Sequence, residues 1–206
     1  MKLYYSPLSS NSRKVRLVAA LLDILLELEN VDLPKGDQRR PEYLAINPMG
    51  KVPVLLDGDY VLPESAAIMI YLAESKPVNA LYPIERRARA DVNRWLFWAA
   101  NHWSAAGAAL AYEKVLKPRF FHAEPDPVQI QRQEKMLADL ALVLDAQLGK
   151  RPCIAGDALT LADLAIAPSF GGFLEMPVHS CPHVQRWIAR IRELPAWQAT
   201  EPPKLP

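Results

Sequence analysis

Hydroxyl and amide side chains crowd one short segment near the start of the chain. Ser9, Ser10, Asn11 and Ser12 follow the apolar run at residues 3–5 and precede a helical pattern. Free backbone N–H groups and the positive end of the helix dipole favour an anion at such a helix start. Ser and Asn are also preferred N-cap residues, so plain capping is the alternative interpretation. Capping requires only one of them, which leaves the other hydroxyls unexplained.

Two further segments carry residues whose positions favour binding. Pro53 interrupts an apolar run, and because it cannot donate to a sheet ladder it belongs at a strand start or edge. A cis Val52–Pro53 bond would turn the Val52 N–H and C=O toward an extended peptide, whereas an ordinary trans proline on an edge strand would not. Glu64 and Ser65 bring a carboxylate and a hydroxyl to a helix start, where Ser65 could cap the helix or bind an anion.

A candidate metal site is weaker. His179, Cys181 and His183 alternate in one segment, with Glu175 nearby. Their spacing is not that of structural zinc sites, and two prolines interrupt the segment. We therefore expect no metal.

The elements that must position these residues change character along the chain. In the first 75 or so residues, strand and helix patterns alternate, and a D-G hairpin signal lies at residues 57–59. The predicted strands are residues 3–5, 28–33, 52–56 and 60–62, and the predicted helices are residues 12–26 and 65–75, with a helical turn at 41–44. The order βαβ then ββα predicts a small mixed sheet covered by helices.

From residue 85 onward only helical patterns occur. They cover residues 85–116, 127–148, 161–174 and 183–194, and prolines and glycines mark their boundaries. We predict a mixed α/β domain at residues 1–77, a linker at 78–84 and an all-α domain at 85–206.

Composition excludes several classes of function. The chain has 24 Lys+Arg against 23 Asp+Glu, so its net charge of +1 gives no bulk reason to bind nucleic acid or an anionic membrane. The basic run at residues 86–89 is expected to be a solvated helix start or a subunit contact. No targeting signal and no apolar run of about 20 residues is evident. With only two cysteines, Cys153 and Cys181, we expect a reducing compartment and a cytoplasmic location.

Four motifs in register carry a family resemblance. The runs LYYSPLSSNSRKVR, NPMGKVPVL and PESAAIMIYLAE resemble the thioredoxin-like N-terminal domain of the glutathione S-transferase superfamily. In the helical half, IAGDALTLAD resembles the folding motif of that superfamily, in which Thr160 would cap a buried helix and Asp163 would close a capping box. The resemblance spans residues 1 to about 200 and implies the two-domain fold of that family.

The resemblance implies that glutathione is the co-substrate. Val52 would pair its backbone with the cysteinyl part, next to a cis Pro53. Glu64 would meet the γ-glutamyl ammonium and Ser65 its carboxylate. Lys51 would meet the glycyl carboxylate, helped by Gln38 or Arg39.

The resemblance also implies how the thiol is activated. Ser9 matches the activating serine of the serine-type classes (theta, phi, delta and zeta), with Ser10 as second candidate and Asn11 as support. Ser10 stands where beta-class enzymes have cysteine, so glutaredoxin-like disulfide chemistry is not expected. The zeta-class signature has cysteine at the position of Asn11, which weakens an isomerase interpretation without excluding it.

The second substrate is expected to bind between the two domains. Its candidate contacts are Leu8, Trp98, His102, Trp103, Ala106 and Tyr112, although an aromatic stripe at such spacing is more often core. The resulting hypothesis is a homodimeric glutathione transferase that attacks small apolar electrophiles. Glutathione-dependent isomerisation of maleylacetoacetate, dehalogenation or reduction, and a non-catalytic ligand carrier or interaction module of this fold, are the alternatives.

Overall fold

A sheet-containing half is followed by a helical half in the computed structural model, which describes residues 1–76 and 79–203. The strands are β1 (Lys2–Tyr5), β2 (Glu27–Asn30), β3 (Val54–Asp57) and β4 (Tyr60–Pro63), and the helices are α1 (Ser10–Leu21), α2 (Pro41–Ile46), α3 (Ser65–Glu74), α4 (Arg86–Trp98), α5 (Ser104–Ala111), α6 (Lys117–Phe120), α7 (Pro127–Leu148), α8 (Leu161–Ile166), α9 (Pro182–Arg192) and α10 (Pro195–Ala199). This order confirms the predicted fold class. The predicted boundary between residues 77 and 78 lies outside the described residues.

The four strands form one sheet in the order β2-β1-β3-β4. β1 runs parallel to β2, whereas β3 is antiparallel to both β1 and β4. Because side chains alternate across a strand, Leu3 and Leu55 point to one face and enter the main core that α1 and α3 share. Tyr4 and Val54 point to the opposite face and pack with Tyr43 of α2.

The first helix is shorter than the predicted residues 12–26. It begins at Ser10 because Ser9 is its N-cap. It ends at Leu21, and Asp23 then adopts a left-handed φ of 52°, which a right-handed helix cannot contain. The following strand consequently begins at Glu27 and ends at Asn30, instead of covering residues 28–33.

The helical half contains two departures from regular α-helix. The predicted helix over 85–116 is helical without a break, but it is not α-helical throughout. The π-helical segment Ala99–Trp103 lies between α4 and α5, and the π-helical segment Tyr112–Leu116 lies between α5 and α6. The predicted helix over 161–174 is α-helical only as far as Ile166 and continues as a 3₁₀ helix, Ala167–Gly171. Pro168 has no N–H to donate, so the α-helical ladder cannot continue through it.

One hydrophobic core spans both halves. Leu17 of α1 and Leu72 of α3 belong to the same buried cluster as Trp95 of α4, Leu137 of α7 and Trp187 of α9. α1 also packs against α8 and α10, so the helix that follows Ser9 is held from both sides. Among the described helices, none combines the length and the apolar character needed to cross a bilayer.

Candidate functional site

The sheet register brings three candidate segments to one edge. Tyr4 at the end of β1 lies opposite Val54 at the start of β3, and Val54 lies opposite Pro63 at the end of β4. The segment after β1, the residues before β3 and the residues after β4 therefore leave the sheet at the same edge, the one at which β1 and β4 end and β3 begins. The N-termini of α1 and α3 lie there as well, so backbone N–H groups of two helices point to one region.

Hydroxyl groups fix the loop that joins β1 to α1. The Ser12 N–H donates to Ser9 Oγ (3.2 Å), and the Ser6 N–H donates to the buried Ser12 Oγ (3.2 Å). Ser9 is thus the N-cap, with extended backbone angles. A capping hydroxyl still carries its own hydrogen, which it can donate to a bound sulfur. Ser10 is the first residue of α1 and is exposed.

The segment before β3 is held from behind by its carbonyl. Lys51 O accepts hydrogen bonds from Tyr43 Oη (2.7 Å) and Asn47 Nδ2 (2.8 Å), while the Lys51 side chain is exposed. The Val52–Pro53 peptide bond is cis, as the resemblance implies. Val52 itself is half-buried at the edge of the sheet.

Glu64 and Ser65 join β4 to α3. Glu64 is exposed and has a φ of +73°, which is rare for a residue with a Cβ. Ser65 is the first residue of α3 and is half-buried. Its hydroxyl and the first N–H groups of α3 are therefore available on the same helix end.

A cavity of about 530 Å³ lies between the two halves next to this edge. Eight of the predicted site residues line it: Leu8, Ser9, Ser10, Asn11, Gln38, Lys51, Val52 and Trp103. The buried Gln38 Oε1 has no hydrogen-bond partner, which leaves it free to accept from a ligand. Eight predicted binding residues do not line the cavity: Arg39, Pro53, Glu64, Ser65, Trp98, His102, Ala106 and Tyr112.

Apart from Trp103, the helical wall of the cavity consists of residues that the sequence analysis did not predict. Ser104, Gly107, Ala108 and Ala111 of α5 line it, followed by Val115. Ala106 is 3% exposed and faces the core, and Trp98 stacks on Trp103 instead. Small residues at spacings of three and four lie on one face of a helix and leave room beside it. This spacing was the sequence signal that could have predicted the cavity wall.

Two cations in α1 were also missed. Lys14 and Arg13 line the cavity although they are only 5% and 4% exposed. Arg13 lies over the Trp197 ring (3.8 Å) and donates to Trp197 O (3.1 Å) and Gly171 O (3.3 Å). Lys14 Nζ donates to Asn11 Oδ1 (2.8 Å) and Ser104 Oγ (2.9 Å). Burial lowers the pKa of Lys14 to about 8, because a cation is poorly solvated there.

The predicted capping box is present. The Thr160 N–H donates to Asp163 Oδ2 (2.9 Å), and the Thr160 side chain bonds to the N–H of residue 163. Asp163 Oδ1 also accepts from the Ile154 N–H (2.9 Å) and Trp187 Nε1 (2.8 Å). Burial raises the pKa of Asp163 in spite of these bonds. Through Asp163 of α8, the motif links Trp187 of α9 to the loop that precedes α8.

The residues weighed for a metal site do not converge. His179 lies 3.9 Å from Glu175, whereas His183 Nδ1 contacts Arg186. In residues 1–76 and 79–203, no three His, Cys, Asp or Glu side chains come together as a metal site.

Comparisons with known proteins agree with this geometry. Residues 3–80 match the glutathione S-transferase N-terminal domain, and residues 109–195 match the glutathione S-transferase C-terminal domain. The chain is 37% identical to glutathione S-transferase F10 of Arabidopsis thaliana over 94% of its own length and 93% of the relative. The structure of glutathione transferase F7 from Populus trichocarpa is similar, with a TM-score of 0.88, 29% identity, and 97% and 96% of the two chains covered.

A third comparison includes a ligand. The theta class glutathione S-transferase from Xanthomonas axonopodis pv. citri, solved with glutathione bound, has a TM-score of 0.88 and 31% identity, and the match covers 100% of this chain and 98% of that one. Two consecutive domain matches and a relative above 30% identity along nearly its whole length leave one assignment. The chain belongs to the glutathione S-transferase superfamily.

Proposed function

We propose that this protein is a serine-type glutathione transferase, which activates the glutathione thiol as a thiolate for attack on small apolar electrophiles. The observation that carries the proposal is the Ser9 hydroxyl, which caps α1 at the sheet edge and lines the cavity between the two halves. A transferase requires a thiol-activating group where a peptide site and an apolar pocket meet.

The sheet edge supports a binding mode for the tripeptide. In the proposed mode Val52 pairs its backbone with the cysteinyl part next to Pro53. The γ-glutamyl ammonium meets Glu64, and its carboxylate meets Ser65 at the start of α3. The glycyl carboxylate meets Lys51, with Gln38 beside it. Such local pairing of opposite charges holds a zwitterion without any net charge on the protein.

The proposed chemistry needs a modest electrostatic contribution. An unperturbed thiol has a pKa of about 8.5, and lowering it by about two units corresponds to about 2.7 kcal/mol. A hydrogen bond from a hydroxyl group and the positive end of the α1 dipole can together stabilise the thiolate by about this amount. Ser9 is the first candidate for the donor, Ser10 the second, and Asn11 supports them. The thiolate then forms a C–S bond, the leaving group departs with the bonding pair, and the thiol proton goes to solvent.

The proposed second-substrate pocket is the part of the cavity away from the sheet. Of its sequence candidates, Leu8 and Trp103 line the cavity. The remaining wall comes from α5, from Val115, and from aromatic side chains such as Phe120 and Phe173. This apolar lining suits an electrophile with an apolar body.

A homodimer is part of the proposal. Tyr60 and Val61 are 49% and 39% exposed on β4, which is the outermost strand on one side of the sheet. Phe97 of α4 is 68% exposed. Exposed apolar groups on an edge strand favour burial against another chain. Light scattering on the eluted protein at two concentrations tests this, since a monomer mass at both would contradict it.

A cytoplasmic location is also proposed. Both cysteines are free thiols, Cys153 half-buried and Cys181 buried. Free thiols are typical of reducing compartments. Fractionation of the source cells, followed by immunodetection, tests the proposal.

Calorimetric titration with glutathione, combined with ultraviolet titration of the bound thiolate, tests the activity. Wild type should bind glutathione in the millimolar range or tighter with a thiol pKa near 6 to 7. Ser9→Ala should raise that pKa by about one unit or more, since one donor is lost. The matched control is Ser75→Ala, because Ser75 is exposed at the opposite end of α3 from Ser65.

The outcomes separate the alternatives. No binding at millimolar glutathione would overturn the transferase and favour a non-catalytic module. A shift with Ser10→Ala alone would identify the other serine. Turnover of maleylacetoacetate without turnover of a chlorodinitrobenzene would favour isomerisation over transfer.

A further inference from the structure

The cavity has an unbalanced charge. Among the residues that the structure describes, its lining includes three cations, Arg13, Lys14 and Lys51, but no aspartate or glutamate. Lys51 is exposed and is assigned to the glycyl carboxylate above. Arg13 is engaged with two backbone carbonyls and the Trp197 ring. Lys14 is the cation that the glutathione site and the fold leave unexplained.

Lys14 is buried with neutral partners only. Its side chain is almost wholly removed from solvent, and Nζ donates to an amide oxygen of Asn11 and to the hydroxyl of Ser104. An ammonium group has three N–H donors, so one remains beyond these two bonds. Among the described side chains no carboxylate lies within 4.0 Å of it. A buried cation without a counter-charge is unfavourable unless a ligand supplies the charge.

The position of Lys14 separates it from the proposed anions of glutathione. It lies one turn beyond Ser10 on α1, and its partner Ser104 is the first residue of α5. Nζ therefore bridges the two helices that border the second-substrate pocket. The proposed sites of the glutathione carboxylates are at the sheet edge instead, at Ser65 and Lys51.

We propose that the electrophile of this enzyme carries a carboxylate, and that the Lys14 ammonium binds that carboxylate while the apolar wall of the cavity holds the rest of the molecule. This inference rests on the proposed function and narrows its substrate class. Lys14 acts in it as a specificity-determining residue, distinct from the serine that activates the thiol.

The surroundings of Lys14 determine how its charge responds to pH. Its neighbour Ser104 belongs to α5, which has no titratable side chain, and the 3₁₀ helix 167–171 and α10 have none either. The titratable or charged groups on the other elements packed against α1 and in the cavity lining are Tyr71 and Glu74 on α3, Asp163 on α8, and Arg13 and Lys51. The first three have partners elsewhere, in Asp57, Arg89 and the capping box. Burial alone lowers the pKa of Lys14 to about 8.

The test compares two electrophiles that differ by one charge. 4-Chloro-3,5-dinitrobenzoate and 4-chloro-3,5-dinitrobenzamide have the same leaving group, chloride, at the same ring position. Each kcat/KM is divided by the uncatalysed rate constant with glutathione at the same pH. At pH 6.5 wild type should favour the carboxylate by at least about tenfold, the usual size of a hydrogen bond to a charged group.

Variants assign the preference to Lys14. Lys14→Met should lower the carboxylate-to-amide ratio by at least about fivefold, and Lys14→Arg should restore part of it. The matched control Lys150→Met, an exposed lysine outside the cavity lining, should keep the wild-type ratio. A wild-type ratio near one, or an unchanged ratio in Lys14→Met, overturns the inference. So does weaker glutathione binding in Lys14→Met by calorimetry, because the charge would then belong to the glutathione site.

A pH series on wild type keeps the inference testable even if the variants fold poorly. The ratio should fall between pH 6.5 and pH 9.5, as Lys14 loses its proton, because thiol ionisation is common to both substrates and cancels in the ratio. A ratio independent of pH overturns the inference. Absence of both turnover and glutathione binding overturns the proposed function itself, whereas turnover of both electrophiles at equal rates overturns only the carboxylate preference.

Discussion

At position 14, burial and charge act against each other. The folded protein holds the pKa of Lys14 near 8, whereas an unfolded lysine titrates near 10.5. Between these two values the unfolded chain binds more protons, so this group makes the folded state more stable as pH rises and less stable as pH falls. The difference of about 2.5 units corresponds to about 3 kcal/mol at neutral pH.

Replacement of Lys14 by methionine should therefore stabilise the protein. At pH 7 we expect a net gain of about 1 kcal/mol in the free energy of unfolding, because the relief of about 3 kcal/mol is reduced by about 1 kcal/mol for each of the two lost hydrogen bonds. The gain should shrink as pH rises from 8 toward 10.5. Urea denaturation at pH 7 and pH 9.5 measures it, with Lys150→Met as the control. A loss of stability at both pH values would mean that Lys14 is structural.

Asp163 is also buried, but unlike Lys14 its carboxylate accepts hydrogen bonds from three donors that the fold itself needs to satisfy. Asp163→Ala would leave the Ile154 and Thr160 N–H groups and the Trp187 indole N–H without their acceptor. We expect a loss of about 3 to 5 kcal/mol. The control is Asp126→Ala, which removes a half-buried N-cap from α7 and should cost about 1 kcal/mol. Thermal unfolding of both variants checks the difference, and equal costs would contradict it.

At the scale of elements, the turn before β3 requires a glycine for two reasons. Gly50 has a φ of +60°, and a Cβ there would lie 2.9 Å from Gln38 O. Gly58 has nearly the same φ, +61°, but a Cβ there would meet no atom within 4 Å outside its chain neighbours. Alanine at either position would therefore have the same free-energy cost of a positive φ. Only at position 50 would its Cβ also clash with a neighbouring atom.

This pair gives a matched test. Gly58→Ala should cost about 1 kcal/mol of stability and leave glutathione affinity unchanged. Gly50→Ala should cost about 1 to 3 kcal/mol more, and should weaken glutathione binding at least about fivefold, because Lys51 and Val52 follow the displaced turn. Denaturation and calorimetry measure the two effects. Equal behaviour of the two variants would show that the turn does not position the site.

Elements with local signals could be predicted from the sequence. The Asp57-Gly58 turn gave the β3–β4 hairpin, and Thr160 with Asp163 gave the capping box, because both depend on residues close in the chain. The face of α5 could not be predicted in the same way. Trp98, His102 and Ala106 lie four residues apart, as a straight helix would require, but the π-helical segment Ala99–Trp103 holds extra residues per turn and rotates the helix after it.

The burial of Lys14 could not be predicted from the sequence for a different reason. Lysine is among the residues that are least often buried, so Lys14 was assigned to no site. Its burial depends on Ser104, which is 90 residues away in sequence and belongs to the other half of the molecule. No local pattern contains that contact. Ser9, Lys51 and Val52 could be predicted as site residues because the family motifs contain them, and all three line the cavity.

At the scale of the whole molecule, the two halves should unfold together. Leu17 and Leu72 share one buried cluster with Trp95 and Trp187, and Arg13 links α1 to the carbonyl groups of Gly171 and Trp197. Exposing the interface would leave a large apolar surface on each half, so a half-folded state is unfavourable.

All five tryptophans lie beyond residue 85, so their fluorescence reports on the helical half and on its contacts with α1, where Arg13 lies over the Trp197 ring. Hydrogen exchange of peptides that contain β1 and β3 reports on the sheet. In urea at equilibrium we expect the fluorescence midpoint and the midpoint for loss of sheet protection to coincide within about 0.3 M, given the usual urea dependence of about 1 to 3 kcal/mol per molar. Leu17→Ala, which creates a cavity in the shared core, should lower both midpoints together, whereas Leu25→Ala, at a side chain that is 95% exposed between α1 and β2, should move neither appreciably. Two separated midpoints in wild type would mean that the halves are independent domains, and the site between them would then have to form anew whenever they dock.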